Sequence, residues 1–156
     1  GDYIVQLRIT NINGAISETE QVVTVEGFEV ALKANLEGTY NNATQLMRDD
    51  LRQQGQIPSM NPLMDNDLDN LGASVANGVL QVTGNDAIVD WVRVELRSDA
   101  NTIVQAKATL LQRDGDVVDL DGVSPVAFEG VVSGNYHLVL IHRNHVRVMS
   151  DLVQID

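Results

Sequence analysis

The chain is expected to be all-β: a mainly antiparallel β-sandwich with one short helix in an inserted loop. Three observations predict this. Apolar and polar residues alternate with a period of two through many segments, the strand signal. Turn residues, chiefly Gly, Asn and Asp, punctuate those segments about every 8–14 residues. Helical spacing surfaces only near residues 41–54. A length of 156 residues allows one domain with a proper core.

The elements follow in order. Tyr3, Val5, Leu7 and Ile9 alternate with Ile4, Gln6, Arg8 and Thr10, so a first strand is expected there. Asn13-Gly14 supplies the positive φ of a tight turn, and a second strand is expected over 20–25. Phe28, Val30, Leu32, Ala34 and Leu36 alternate with Glu29, Ala31, Lys33 and Asn35, a half-buried strand. Residues 39–72 break the pattern. Met47 and Leu51 stand at i,i+4, and Asn41, Asn42 or Thr44 could cap a short helix that Gly55 and Pro58 end. The Asn- and Asp-rich remainder, 59–72, reads as an excursion from a β scaffold. Strands are then expected over 79–83, 87–97, 103–112, 117–120, 126–131, 135–142 and 146–153. Alternation places Phe28, Val30, Leu32, Val92, Val94, Leu96, Val104, Ala106, Leu110, Phe128, Leu138 and Leu140 in the core.

Composition excludes several functions. Ten basic against 22 acidic residues give a net charge of −12, which disfavours nucleic acid and anionic membranes as partners. No cysteine is present, removing disulfides, thiolate metal sites and cysteine nucleophiles. The longest apolar run is residues 138–141, too short for membrane insertion. A chain that begins at Gly1 is expected to be a mature, trimmed or partial product, so localisation is not read from its start.

The best candidate site is Asp114, Asp116, Asp119 and Asp121, oxygen ligands on a glycine-containing turn that suit Ca²⁺. EF-hand spacing fails, with Val118 at position five and Pro125 at position twelve. The competing reading is a solvated turn whose carboxylates accept from backbone N–H groups. Asp65, Asp67 and Asp69 form a second, weaker acidic cluster, with Asn70 and Ala76 where a calcium loop needs Gly and Glu. His142 and His145, with His137, raise zinc, but the odd gaps do not put all three on one strand face. The serines lack a nucleophile elbow, and neither phosphate-loop nor dinucleotide fingerprints occur. The chain is therefore expected not to be an enzyme. Trp91 is expected in the sheet packing and not on a sugar-binding platform, because only six aromatic residues exist. The two lysines, Lys33 and Lys107, leave an isopeptide cross-link to an Asn as a minor reading.

Two resemblances add to this. Gly1-Asp2-Tyr3-Ile4-Val5-Gln6-Leu7, Asn11-Ile12-Asn13-Gly14 and Val22-Val23-Thr24-Val25 resemble the last two strands of a PKD-type, Ig-like module. Further on, Gly38-Thr39-Tyr40, the 46–52 segment, Trp91 within 87–97, the 112–119 segment, Gly134-Asn135-Tyr136 and His142-Arg143-Asn144-His145 resemble a β-module of large secreted, adhesin-like surface proteins of Bacteroidota. The C-terminal part is also similar to transthyretin-like and Cna-B-type sandwiches. Together these imply residues 1–25 as the terminal hairpin of a PKD/Ig-like module or as partner-pairing strands. Residues 26–156 are then a separate β-sandwich module. The implied function is a structural module of an extracellular or cell-surface fibre, stalk or adhesin. Its partners would be neighbouring copies or modules, joined head to tail by β-strand pairing. The alternative is a carbohydrate- or Ca²⁺-dependent binding module of a secreted protein.

Overall fold

The computed structural model describes residues 2–10, 16–24 and 27–155. The fold is all-β, and among the described residues helix is confined to one turn of α-helix and one 3₁₀ turn. The expected 11–14 turn lies outside the described residues. Contacts divide the chain into two compact units, Gly1–Phe28 with Phe128–Val132, and Glu29–Ala127 with Ser133–Asp156.

In the first unit, β1 (Asp2–Thr10) and β2 (Ile16–Thr24) form an antiparallel two-stranded ribbon, in register from Asp2↔Thr24 to Thr10↔Ile16. The second strand begins four residues before its expected start, because Ile16 to Thr19 complete the ladder opposite Leu7 to Thr10. Arg8 and Glu18, facing each other across it, form an exposed ion pair at 3.1 Å. Gly27 is required where it stands: a Cβ there would lie 2.8 Å from the Phe128 carbonyl oxygen. The Phe28 and Phe128 rings pack with centroids 5.5 Å apart.

The expected single strand over 28–36 is two pieces, β3 (Gly27–Val30) and β4 (Leu32–Lys33), broken at Ala31. β3 pairs with β10 (Val126–Glu129) in a two-stranded sheet. The main sheet of the second unit is seven-stranded. Its order is β12 (Val148–Met149), β11 (Gly134–Ile141), β7 (Ile88–Arg97), β8 (Ile103–Gln112), β9 (Asp116–Val118) and β4, with β13 (Val153–Ile155) also on β11. These strands pair antiparallel throughout.

β7 is buried along its whole length, so both faces of the sheet are covered there. Val92, Val94 and Leu96 occupy one face at 0% exposure. The other carries Trp91, Arg93, Glu95 and Arg97, opposite Leu110, Ala108, Ala106 and Ile103 on β8. Here the cover is the 51–80 segment and not a second sheet: Ile57, Leu68 and Val79 are buried against Trp91, Ala106, Ala108 and Leu110. Ile88, which unbroken alternation would put on the face of Val92, joins the Trp91 cluster instead. A register shift between Ile88 and Asp90 inserts one residue and flips the face.

Polar groups fasten the covering segment. The Asn70 amide acts as a surrogate peptide on the edge of β8, donating to Ala108 O at 2.8 Å and accepting from Ala108 N at 2.9 Å. Asp69 N–H donates to Ala106 O. Trp91 Nε1 donates to Pro58 O at 3.0 Å.

Other differences have local causes. The helix is only α1 (Asp50–Gln53). Asn41 Oδ1 accepts from Ala43 N, an Asx turn that folds β5 (Tyr40–Asn41) back on β6 (Leu46–Met47) before a helix can start. Met47, fully buried, then receives the Leu36 N–H on its sulfur. The expected 79–83 strand is a 3₁₀ turn (Val79–Gln81) between Gly78 and Gly84, both at positive φ. Val104 is 41% exposed, and Phe28, Val30, Leu32, Leu138 and Leu140 are half-buried, so these six are not the fully buried core expected.

Candidate functional site

The four aspartates of the candidate calcium turn are each engaged locally. Asp114 Oδ1 accepts from Asp116 N, and Asp116 Oδ1 meets Lys33 Nζ at 2.6 Å. Asp119 Oδ1 accepts from Leu120 N. Asp121 caps the next turn, accepting from Val123 N, Ser124 N and Ser124 Oγ. Those bonds hold the Asp121 carboxyl below its ordinary value. Among the described residues no group of three or more His, Asp or Glu side chains is placed to hold a metal ion. Adding millimolar Ca²⁺ to EDTA-treated protein is expected to leave its melting temperature unchanged; a rise would mean these carboxylates turn onto a cation.

The second acidic cluster serves the covered sheet face. Asp67 forks onto Arg93 at 2.8 and 2.6 Å, and Asp65 reaches Arg93 Nη1 at 3.1 Å. Arg93 and Arg97 both hold Glu95, at 2.7 and 2.6 Å through their Nε atoms. All three are nearly inaccessible. The alternating Arg-Glu-Arg of β7 is thus a buried ionic ladder closed by Asp67.

A third cluster sits where β11 ends. Asp90, the third residue of β7, is 4% exposed within the apolar run Ile88-Val89-Asp90-Trp91-Val92. Its carboxylate meets His142 Nε2 at 3.2 Å, accepts from Arg143 Nη2 at 2.7 Å and from its neighbour Trp91 N at 2.8 Å. A carboxylate only accepts, so the His142 proton resides on Nε2. His142 Nδ1 then accepts from Asn144 N at 3.3 Å, and faces His145 Nδ1 at 2.9 Å. Asp90, His142 and His145 form a chain from the buried sheet to solvent, with His145 at the exposed end. His137, which the odd spacing sets apart from that pair, is engaged elsewhere, donating from Nδ1 to Ser150 O at 2.8 Å. Two imidazole nitrogens alone fall short of a metal site.

These histidines join two clefts. One, about 270 Å³, is lined by Arg48, Leu51, Val89 and Asp90 among others. The second, about 420 Å³, runs between Leu32, Ala34 and Leu36 on one side and Leu138, Leu140 and Val148 on the other. Leu36, His142 and His145 line both. β4 and β12 are the opposite ends of the sheet order, yet both border the larger cleft. The sheet therefore curls, and its two edges face one apolar groove. Beside it, Val146, Val148, Met149, Leu152 and Val153 are 40–89% exposed. An apolar edge strand of this kind is a template for pairing.

No family model, curated protein or solved structure matches this chain.

Sequence reasoning named His142 and His145 but missed Asp90, their anchor. The signal was a lone acid inside the apolar run Ile88-Val89-Asp90-Trp91-Val92. Trp91, 2% exposed, lies in the packing as expected. The charged groups give stability a definite pH dependence. Burial pushes the Asp90 and Asp49 carboxyls up. Hydrogen bonds from His142 and Trp91 N–H with the Arg143 charge, and from Arg52 and Gln53, more than reverse this. Arg93 holds Asp67 down. All three carboxyls thus titrate below their unfolded value of 3.8. They contribute stability that is complete above that value and lost as pH falls through the folded ones. Thermal melts are expected to be level from about pH 7 to 5 and to drop steeply below about pH 4.

Proposed function

We propose that this chain is a structural module of a secreted or cell-surface fibre, stalk or adhesin, joined to neighbouring copies or modules by β-strand pairing. One observation carries the reading: residues 2–10 and 16–24 pair as a nine-residue-per-strand ribbon in a compact unit distinct from the main sheet. The two strands have no further β-partner among the described residues, and a strand edge without a β-partner is a template for pairing. Two-stranded ribbons are marginal in water, and a third strand is what stabilises them. The net charge of −12 keeps such a module soluble while its edges stay available. The resemblance of 1–25 to the end of a PKD-like module supports the same role, because that hairpin would lie at a junction between modules. The test is removal of residues 1–25. The full chain is expected to associate in light scattering, and the remainder to lose that association while keeping its circular dichroism spectrum. An unfolded remainder, or a full chain that stays monomeric at high concentration, would refute the linking role.

A further inference from the structure

We infer that the groove between β4 and the β11–β12 edge is the acceptor for β1 of a second copy, which adds as a strand along the outer edge of β12. The inference rests on the strand-pairing function proposed above and names its receiving surface.

The register leaves peptide groups pointing outward at both walls. Ala34 N bonds Gly115 O at 2.8 Å, so Leu32 and Ala34 turn toward β9 and the Lys33 peptide groups turn away. Ser150 N bonds Leu138 O at 2.9 Å, and Leu140 faces Val148. The N–H and C=O of Met149, between them, therefore point to the free side of β12. The groove floor is apolar: Leu32, Leu138 and Leu140 share the face of Val92, Val94 and Leu96. A strand laid along β12 meets backbone partners at its edge and an apolar floor under every second side chain, which is the pattern of β-augmentation.

The chain itself carries the matching segment. Tyr3, Val5, Leu7 and Ile9 alternate along β1, and the edge of β1 away from β2 has no β-partner among the described residues. Charge selects the same partner. Residues 142–150 hold Arg143, Arg147, His142 and His145 and no acid, the reverse of a chain with net charge −12. The two strands of the ribbon carry three acidic residues, Asp2, Glu18 and Glu20, and one basic residue, Arg8. The Asp90–His142–Arg143 bonds pin the start of this basic edge to the sheet, so the acceptor is pre-set.

The test uses full-length chains. An acceptor variant carries Val146→Lys and Val148→Lys, at positions 89% and 66% exposed and thus tolerant of charge. A donor variant carries Val5→Lys and Leu7→Lys. Each alone is expected to weaken self-association by about tenfold or more in sedimentation velocity. Mixed, they are expected to give a one-to-one heterodimer that grows no further, since one intact β1 and one intact groove remain. The absence of native cysteine allows a second readout that leaves folding untested by charge. Leu7→Cys in one copy and Val148→Cys in another should form an intermolecular disulfide. If the donor variant dissociates while the acceptor variant associates normally and the disulfide fails, the groove assignment falls and the strand-pairing function stands. If the acceptor variant dissociates while the donor variant associates, β1 is not the occupant and the inference fails. If both variants associate like the unaltered chain, the ribbon-mediated function fails with it.

Discussion

Glu95→Ala is expected to destabilise the protein by about 3–5 kcal/mol, measured as a lower urea midpoint. Glu95 is 2% exposed, and both of its carboxylate oxygens are engaged, one by Arg93 and the other by Arg97. Removing it leaves two guanidinium groups in a desolvated layer. Arg93 keeps Asp67 and Asp65. Arg97 keeps only the Ala100 carbonyl, at 2.6 Å, so the uncompensated charge falls on Arg97. The structure therefore predicts an asymmetry: Arg97→Met added to Glu95→Ala should recover part of the loss, and Arg93→Met should recover less. Replacing Arg93, Glu95 and Arg97 together by Met, Leu and Met is expected to leave stability near its starting value. A buried ion network is weak evidence for net stabilisation but strong evidence against breaking it singly. A Glu95→Ala loss below about 0.5 kcal/mol, the surface range, would mean that water reaches the ladder.

The ladder also shows what was legible in the sequence. The long strands were, because β7 and β8 carry ten-residue patterns that no helix could share. The all-β class followed from them. Which face of β7 is buried was not legible, since the answer is both. Arg93, Glu95 and Arg97 alternate as a solvent face does, and only the arrival of Asp67 from a distant loop makes their burial tolerable. Ile88 shows a second limit: one inserted residue reverses a face, and nothing in the pattern marks the bulge. The groove shows a third. Leu138, Leu140, Val146 and Val148 read as ordinary strand residues, but the end of the ladder and the curl of the sheet leave them open. The His142-x-x-His145 motif was visible. Its electrostatic anchor, Asp90, lies 52 residues away and was not.

The irregular 51–80 segment gives the other large effect. Its burial depends on one ring, so Trp91→Ala is expected to cost about 3–5 kcal/mol. Trp91 is 2% exposed and packs in one cluster with Ile57, Leu68 and Val79 on the covering segment and with Ala106, Ala108 and Leu110 beneath. The two alanines of β8 make room for the indole, so a truncated side chain opens a cavity that neither can fill. The indole N–H also holds Pro58 O, which in the alanine variant loses its donor. Trp91→Phe separates the two contributions. It keeps much of the packing and removes the hydrogen bond, and should cost about 1–2 kcal/mol for that bond plus a smaller packing loss. Hydrogen exchange locates the damage. The amides of Asn61, Val75 and Ala76, bonded to Ala73, Ser59 and Leu120, tie the segment to itself and to the sheet side. In Trp91→Ala these should lose protection before the β7–β8 amides do, because the segment has little secondary structure of its own and is held chiefly by what it covers. If segment and sheet amides instead lose protection together, the cover and the sheet are one cooperative unit. The ring is then a core residue of the whole fold and not the pin of its irregular layer.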